Sequence, residues 1–288
     1  MLGGIEAGGT KFVCAVGDEL GNIVERIQIP TTLPGTTMKQ VNEFFNRFSL
    51  DAIGIGSFGP IDVNMESLTF GYITTTPKEG WRNYPFVQTL KEAFDVPIGF
   101  TTDVNTATLG EITLGGAKGL DSCLYITVGT GIGSGAIVNG QILQGLSHPE
   151  MGHILVRRHP DDKFEGKCPY HQDCLEGLSS GPAIEKRWGD QGINLVEHSE
   201  VWDLEGYYLA QALMQYILIL SPKKIILGGG VMKQKQVFAS IYKHLPELMN
   251  NYIILPDLPS YIVGPGLGDN SGVVGALILA QQTLDKLK

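Results

Sequence analysis

The sequence predicts an α/β protein of two lobes with a cleft between them. Three observations carry this expectation. The order strand, glycine turn, strand, turn, strand occurs twice, roughly 120 residues apart. Stretches with apolar residues at helical spacing separate and follow the two repeats. Glycine-rich turns directly follow apolar strands in three places: Gly8-Gly9-Thr10-Lys11, Gly129-Thr130-Gly131-Ile132-Gly133 and Gly228-Gly229-Gly230.

The elements follow in chain order. Leu2–Ile5 reads as a strand, EAGGTK as a turn and FVCAV as a strand. GDELGN turns the chain into IVERIQI, completing a meander of hairpins. Thr36–Phe48 has helical spacing, and Leu50–Ile55 is a buried strand ending in GSFGP. Residues 61–80 are irregular, with TTTPKEGW as a loop. Pro85–Phe94 is helical, Val96–Phe100 a strand, and Asp103–Leu114 a helix closed by Gly115-Gly116. The second repeat is CLYITV, the turn GTGIGSG, the strand AIV, the type I′ turn signal Asn139-Gly140, and QILQG. Residues 181–190 and 200–220 look helical, and Pro222 stops the latter. KKIILGGGV reads as a buried strand ending in three glycines. Lys235–Met249 and Ser271–Leu287 are helical. The boundary between the halves falls near Gly116–Leu120.

Composition narrows the function. The chain has 288 residues, 43% hydrophobic and 18% charged, with a formal charge of −9. An acidic balance argues against a nucleic-acid partner. No apolar run is long enough for a membrane span, and MLGGIEAGGTK lacks the layout of a signal peptide, so a cytoplasmic protein is expected. The 38 glycines are about 13% of the chain, against ~7% on average. They read as tight turns approached by a ligand. Cys14 and Cys123 lie in strand-like runs and read as small core residues.

The glycine turns can present backbone N–H groups to an anion, with Thr10, Thr130 or Lys11 adding a donor. Each could also be a simple hairpin turn. A P-loop is excluded, because Lys11 follows Thr10 and a strand follows where a helix is needed. Gly54-x-Gly56-x-x-Gly59 matches a dinucleotide fingerprint, but Pro60 and an irregular stretch come next. Asp103 sits where a strand meets a helix. It is either an N-cap or a base that accepts a proton from a hydroxyl attacking a phosphoryl group. Asn105, close by, could hold a substrate hydroxyl.

His153, Cys168, His171 and Cys174 have metal-ligand spacing and supply four donors, enough for a closed tetrahedral zinc site. Four protein ligands leave no place for water, so the metal would be structural. Glu150 and Glu176 flank these ligands. Two fixed carboxylates suit a polyhydroxylated ligand, because carboxylates accept and sugar hydroxyls donate.

GGIEAGGTK, TTTPKEGW, TTDVNTATLGE, TVGTGIGSG, HPEMGH, CPYHQDCLEGLSSGPA and LGGGV occur in this order over nearly the whole chain. Together they resemble the ROK family of repressors and kinases, most closely its bacterial fructokinase branch. The resemblance implies an actin-like ATPase (ribonuclease H-like) fold. Its lobes would be residues 1–116 and 117–274, with a helix from about 275 to 288 packing back on the first. It implies ATP with Mg²⁺ and a hexose meeting in the cleft, and a homodimer. Gly8, Gly9, Thr10 and Lys11, with Thr130, Gly131 and Gly133, would be the phosphate hairpins. Pro182, Gly229, Gly230, Val231 and Met232 would line the adenosine pocket. Asp103 would be the base, Thr102, Asn105, Glu150, His153 and Glu176 the sugar-binding residues, and His153 would also serve zinc. Three positions depart from common relatives. Glu6 stands where many have Asp, and His171 replaces a Cys. Thr102 replaces the Asn of many glucose-directed members, which points to fructose, with mannose, glucose or an N-acetylhexosamine as alternatives. A DNA-reading repressor is not expected, because the first glycine hairpin begins within the first ten residues. A non-catalytic sugar sensor is the rival from another class.

Overall fold

The computed structural model describes residues 1–287 and contains two five-stranded sheets of the same plan. In the first, β1 (Leu2–Ala7), β2 (Lys11–Gly17) and β3 (Ile23–Pro30) form an antiparallel meander. After α1 (Pro34–Phe45), β4 (Ala52–Ser57) joins β1 in parallel. After α2 (Phe86–Ala93), β5 (Ile98–Thr102) joins β4 in parallel. The order is β3-β2-β1-β4-β5. α3 (Asp103–Thr113) follows. In the second sheet β6 (Cys123–Val128), β7 (Ile132–Val138) and β8 (Gln141–Ile142) repeat the meander. β9 (Ile225–Gly228) and β10 (Ile262–Val263) add in parallel, giving β10-β9-β6-β7-β8.

Helices make the parallel crossovers, as parallel pairing requires. α4 (Leu175–Ser179), α5 (Gly181–Trp188) and α6 (Ser199–Leu220) precede β9. α7 (Lys235–Met249) and α8 (Leu258–Tyr261) precede β10. α9 (Ser271–Asp285) ends the fold. Among the described residues, no helix is long and apolar enough to cross a membrane.

Each sheet has its own core. In the first, the fully buried Trp81 packs on Phe12 at 5.3 Å between ring centroids, and its Nε1 donates to Thr32 O at 2.7 Å. This anchors the irregular TTTPKEGW loop, because a buried indole supplies large apolar area while its N–H finds an acceptor. In the second, Ile126, Leu209 and Trp202 are among the buried residues of one cluster. Cys14 and Cys123 are fully buried core residues.

Between the sheets lie α3 and α9, packed on each other. α9 covers β1, β4 and β5, while α3 reaches β4 on one side and β6 and β7 on the other. Their close approach corrects the expectation that the glycine excess marks ligand-facing turns. A Cβ on Gly54 would strike Ala276 O, one on Gly56 would strike Thr106, and one on Gly275 would strike Thr106 O. Gly54 and Gly56 permit close contact between strand and helix and Gly275 between the two helices, so the start of the apparent dinucleotide fingerprint is strand packing.

The same contact corrects the second turn. GTGIGSG is expected to be a turn throughout, yet β7 begins at Ile132 and the turn is only Gly129–Gly131. Gly133 lies in the strand under α3, where a Cβ would come 3.0 Å from Val104 Cγ1. QILQG is strand only over Gln141–Ile142. KKIILGGGV leaves the sheet at Gly228. Gly229 then takes φ +92°, and a Cβ there would strike Val128 O, so this bend needs glycine.

Candidate active site

A cavity of about 330 Å³ opens between the sheets. Glu6 of β1 and Lys11 of β2 line it from the first half, and Tyr125 and Thr127 of β6 from the second. The first residues of α3 (Asp103) and α9 (Ser271, Gly272) complete it. Two helix N-termini therefore meet at one cavity, and their dipoles favour an anion there.

Asp103 is open to two readings in the sequence, cap or base. The cap of α3 is Thr102, whose side-chain oxygen accepts from Asn105 N at 3.1 Å. Asp103 is the first helical residue, and its Oδ1 accepts from Val104 N at 2.9 Å. Burial pushes its pKa up to about 6. Thr102 is itself buried, and its hydroxyl is engaged by the helix. Asn105 Nδ2 donates to Thr101 Oγ1 at 3.0 Å, which orients the amide.

Glu6 is pushed up to about 7, by burial first and then by the charge of Asp103. Its Oε2 is shielded from solvent and has no hydrogen-bond partner among the described residues. Gly272 leaves room for this carboxylate, since a Cβ there would collide with it. Lys11 lies close enough to oppose the rise. On the far wall Lys233 pairs with Asp269 at 3.5 Å.

Of the residues expected at the nucleotide, Lys11, Gly229 and Met232 line the cavity. Gly8, Gly9 and Thr10 form the first hairpin turn, closed by Gly8 N donating to Lys11 O at 3.0 Å. Thr130 and Gly131 form the second, closed by Gly129 N donating to Gly131 O at 2.9 Å. Pro182 is the second residue of α5, beside Gly181, whose N donates to Gly129 O at 2.7 Å. Gly230 N lies 3.9 Å from the Cβ position of Gly129, and Val231 packs near Gly181. Gly133 supports α3 and does not belong to the turn.

Glu150 is pushed up to about 7, by burial first and then by the charges of Glu176 and Asp103. Glu150 therefore feels the charge of both other carboxylates. Glu176, in the first turn of α4, accepts from Ile132 N at 2.9 Å through Oε2. One residue before α4 is Cys174. His153, Cys168, His171 and Cys174 bring their ligand atoms within 4.8 Å of one another. His153 Nδ1 is 3.5 Å from Cys174 Sγ and 3.7 Å from Cys168 Sγ, and Cys168 Sγ is 3.8 Å from His171 Nδ1. Tetrahedral zinc with ordinary bond lengths sets N···S edges at about 3.5 Å. The four side chains fit that ion.

Sequence reasoning missed Asp269, Lys233 and the start of α9. The run GPGLGDNSG ahead of an apolar helix was a readable anion-site signal. It also missed Glu111 of α3, fully buried, which accepts from Gly116 N at 2.7 Å, Gly266 N at 2.9 Å, Leu267 N at 3.0 Å and Ser271 Oγ at 2.6 Å. That carboxylate ties the end of α3 to the loop that opens α9.

Comparison with known proteins agrees with this architecture. The ROK family pattern matches residues 2–283. A relative from Bacillus subtilis (strain 168) is 64% identical over 288 residues, covering 99% of this chain and 96% of its own. A fructokinase from Pediococcus pentosaceus is 49% identical over 284 residues, covering 99% of each chain. The crystal structure of a ROK hexokinase from Thermus thermophilus matches with a TM-score of 0.82 at 24% identity, over 99% of both chains. This chain belongs to the ROK family and has its two-lobed, actin-like ATPase fold.

Proposed function

We propose that this chain is an ATP-dependent fructokinase that converts D-fructose to fructose 6-phosphate. The observation that carries the reading is Asp103. It stands at the start of α3, where Thr102 supplies the cap, lines the cavity, and its charge pushes up the carboxyls of both Glu6 and Glu150. Full-length similarity to chains named fructokinase supports fructose as the acceptor.

ATP lies against the Gly8–Lys11 and Gly129–Gly131 turns, with its adenosine toward Pro182 and Gly229–Met232. Lys11 and the N-termini of α3 and α9 offset the phosphate charge. The unpartnered Glu6 Oε2, with Asp103 and Asp269 nearby, suits Mg²⁺, which when bound neutralises phosphate charge. Asn105, Glu150, His153 and Glu176 hold the sugar. His153 turns Nδ1 to the two thiol sulfurs, which leaves Nε2 for a sugar hydroxyl. A zinc ion held by His153, Cys168, His171 and Cys174 would be structural and would pin this wall. Thr102 serves the sugar indirectly, by capping α3.

Asp103 orients the C6 hydroxyl and receives its proton late, as the hydroxyl oxygen bonds to the γ-phosphorus and the bond to the β,γ-bridging oxygen breaks. Loose transition states of this kind need little base strength, so a group near pH 6 suffices and positioning supplies most of the rate. A panel of hexoses assayed by ADP release tests the reading. The expected result is a kcat/KM highest for fructose. Equal values for glucose and fructose would sink the assignment.

A further inference from the structure

His148 belongs neither to the metal cluster nor to the lining of the nucleotide cavity, yet it is only 8% exposed. Its Nε2 accepts a hydrogen bond from Ile61 N at 3.2 Å, which joins the second half of the molecule to the first. Its ring rests near Gly59, where a Cβ would lie 3.3 Å from Cε1. Gln144 Nε2, donating to Val63 O at 3.4 Å, makes a second tie between the same two segments.

A ring nitrogen that accepts from a backbone N–H carries no proton. The proton of the neutral ring is then on Nδ1. Nδ1 lies 3.5 Å from Glu150 Oε1. Burial holds the ring below the usual histidine range, which keeps it neutral at pH 7. One imidazole therefore reads a first-half backbone N–H on one side and faces a second-half carboxylate on the other.

We propose that His148 is a positioning residue for the sugar, linking the Gly59–Ile61 loop of the first half to Glu150 of the second. Nδ1–H, which also has the backbone of Pro149 as a hydrogen-bond partner, faces one Glu150 oxygen at 3.5 Å and leaves the other for a sugar hydroxyl. Because the anchor is Ile61, the orientation of Glu150 depends on how the two halves sit against each other. Sugar binding and lobe approach are thereby coupled through a single ring. The inference rests on Glu150 being a sugar ligand.

The test compares His148→Phe, His148→Gln, Glu150→Gln and the double variant H148F/E150Q by steady-state kinetics with fructose and ATP. Phe keeps the bulk of the ring without its nitrogens, and Gln restores an acceptor and a donor. His148→Phe is expected to raise KM for fructose about tenfold and leave KM for ATP within about twofold. His148→Gln is expected to recover fructose KM to within about threefold of wild type, a rescue that bulk alone would not provide. The double variant should be no worse than Glu150→Gln, because the ring acts through that carboxylate. Should Phe not be accommodated, His148→Asn, too short to span Ile61 and Glu150, takes its place. An unchanged fructose KM, an equal rise in both KM values, or single losses that multiply in the double variant would overturn the proposal. If Glu150→Gln leaves fructose KM unchanged, the sugar-site reading itself falls. If it raises KM while His148→Phe does not, only the coupling falls.

Discussion

In the first half, the hairpin turn Gly8–Thr10 makes its recorded backbone contacts within its own meander. Gly8 O accepts from Thr31 Oγ1 at 2.7 Å, Thr10 O accepts from Thr31 N at 2.9 Å, and a Cβ on Gly9 would meet nothing within 4 Å. The turn that holds the same place in the second half is braced from behind. Gly129 O accepts from Gly181 N at 2.7 Å, and Ile132 N, just past the turn, is held by Glu176 Oε2 at 2.9 Å. Glu176 is two residues beyond Cys174, so the metal loop, α4 and the second hairpin form one mechanical unit. Two turns of one topology thus differ in anchoring. The first is an independent arm that carries Lys11, and the second is part of the platform that would hold the sugar.

Breaking the point shared by both halves should have the largest effect. Asp103→Asn is expected to lower kcat about 10³-fold while ATP still binds, as equilibrium dialysis with a nucleotide analogue would register. In the wild type the same carboxylate is expected to contribute to the acid limb, below Glu6 and Glu150, which are both raised to about 7. The pKa of Asp103 is raised to about 6, so the ionised base is lost as pH falls through that value. A kcat/KM profile should accordingly drop by at least about tenfold by pH 5. Retention of activity by the Asn variant would remove Asp103 as the base.

The contrast between arm and platform yields two smaller effects of different shape. Lys11→Met is expected to raise KM for ATP about thirtyfold and leave fructose KM within about twofold, because only the arm is touched. Glu176→Ala removes the brace from the platform, so KM should rise about tenfold for fructose and for ATP together. A change confined to fructose would show that the second hairpin does not need its brace. Smallest is the effect of stripping the metal. With loss confirmed by a colorimetric chelator, fructose KM is expected to rise about threefold or more before ATP KM moves, as outer supports of a site cost less than its ligands. An unchanged fructose KM after confirmed loss would separate the metal loop from the platform.

Much of this was legible in the sequence, for definable reasons. Strand–turn–strand repeats and helix periodicity are local, and they foretold two halves of one plan. Cys168, His171 and Cys174 sit on one short loop, so their spacing spoke for itself. The extent of the second turn was not legible, because glycine permits a bend and permits backbone contact alike. The roles of Thr102 and Asp103 could not be separated either, since both lie at the same junction and either oxygen could cap. Glu111 offered no signal, as a partner such as Gly266 lies 155 residues away along the chain. His148 offered no signal of this role either, because its tie to Ile61 spans 87 residues and is a matter of lobe placement.

The sequence by itself determined the elements, the doubled sheet plan, the Cys/His cluster and the candidate base, all of which follow from residue type and near neighbours. Tertiary structure alone decided which glycines lie under α3 and α9 and which are left at the turns. It alone made one hairpin an arm and the other a platform, and set His148 between a backbone N–H and a carboxylate. Those outcomes depend on surfaces that packing brings together, and separation along the chain does not encode them.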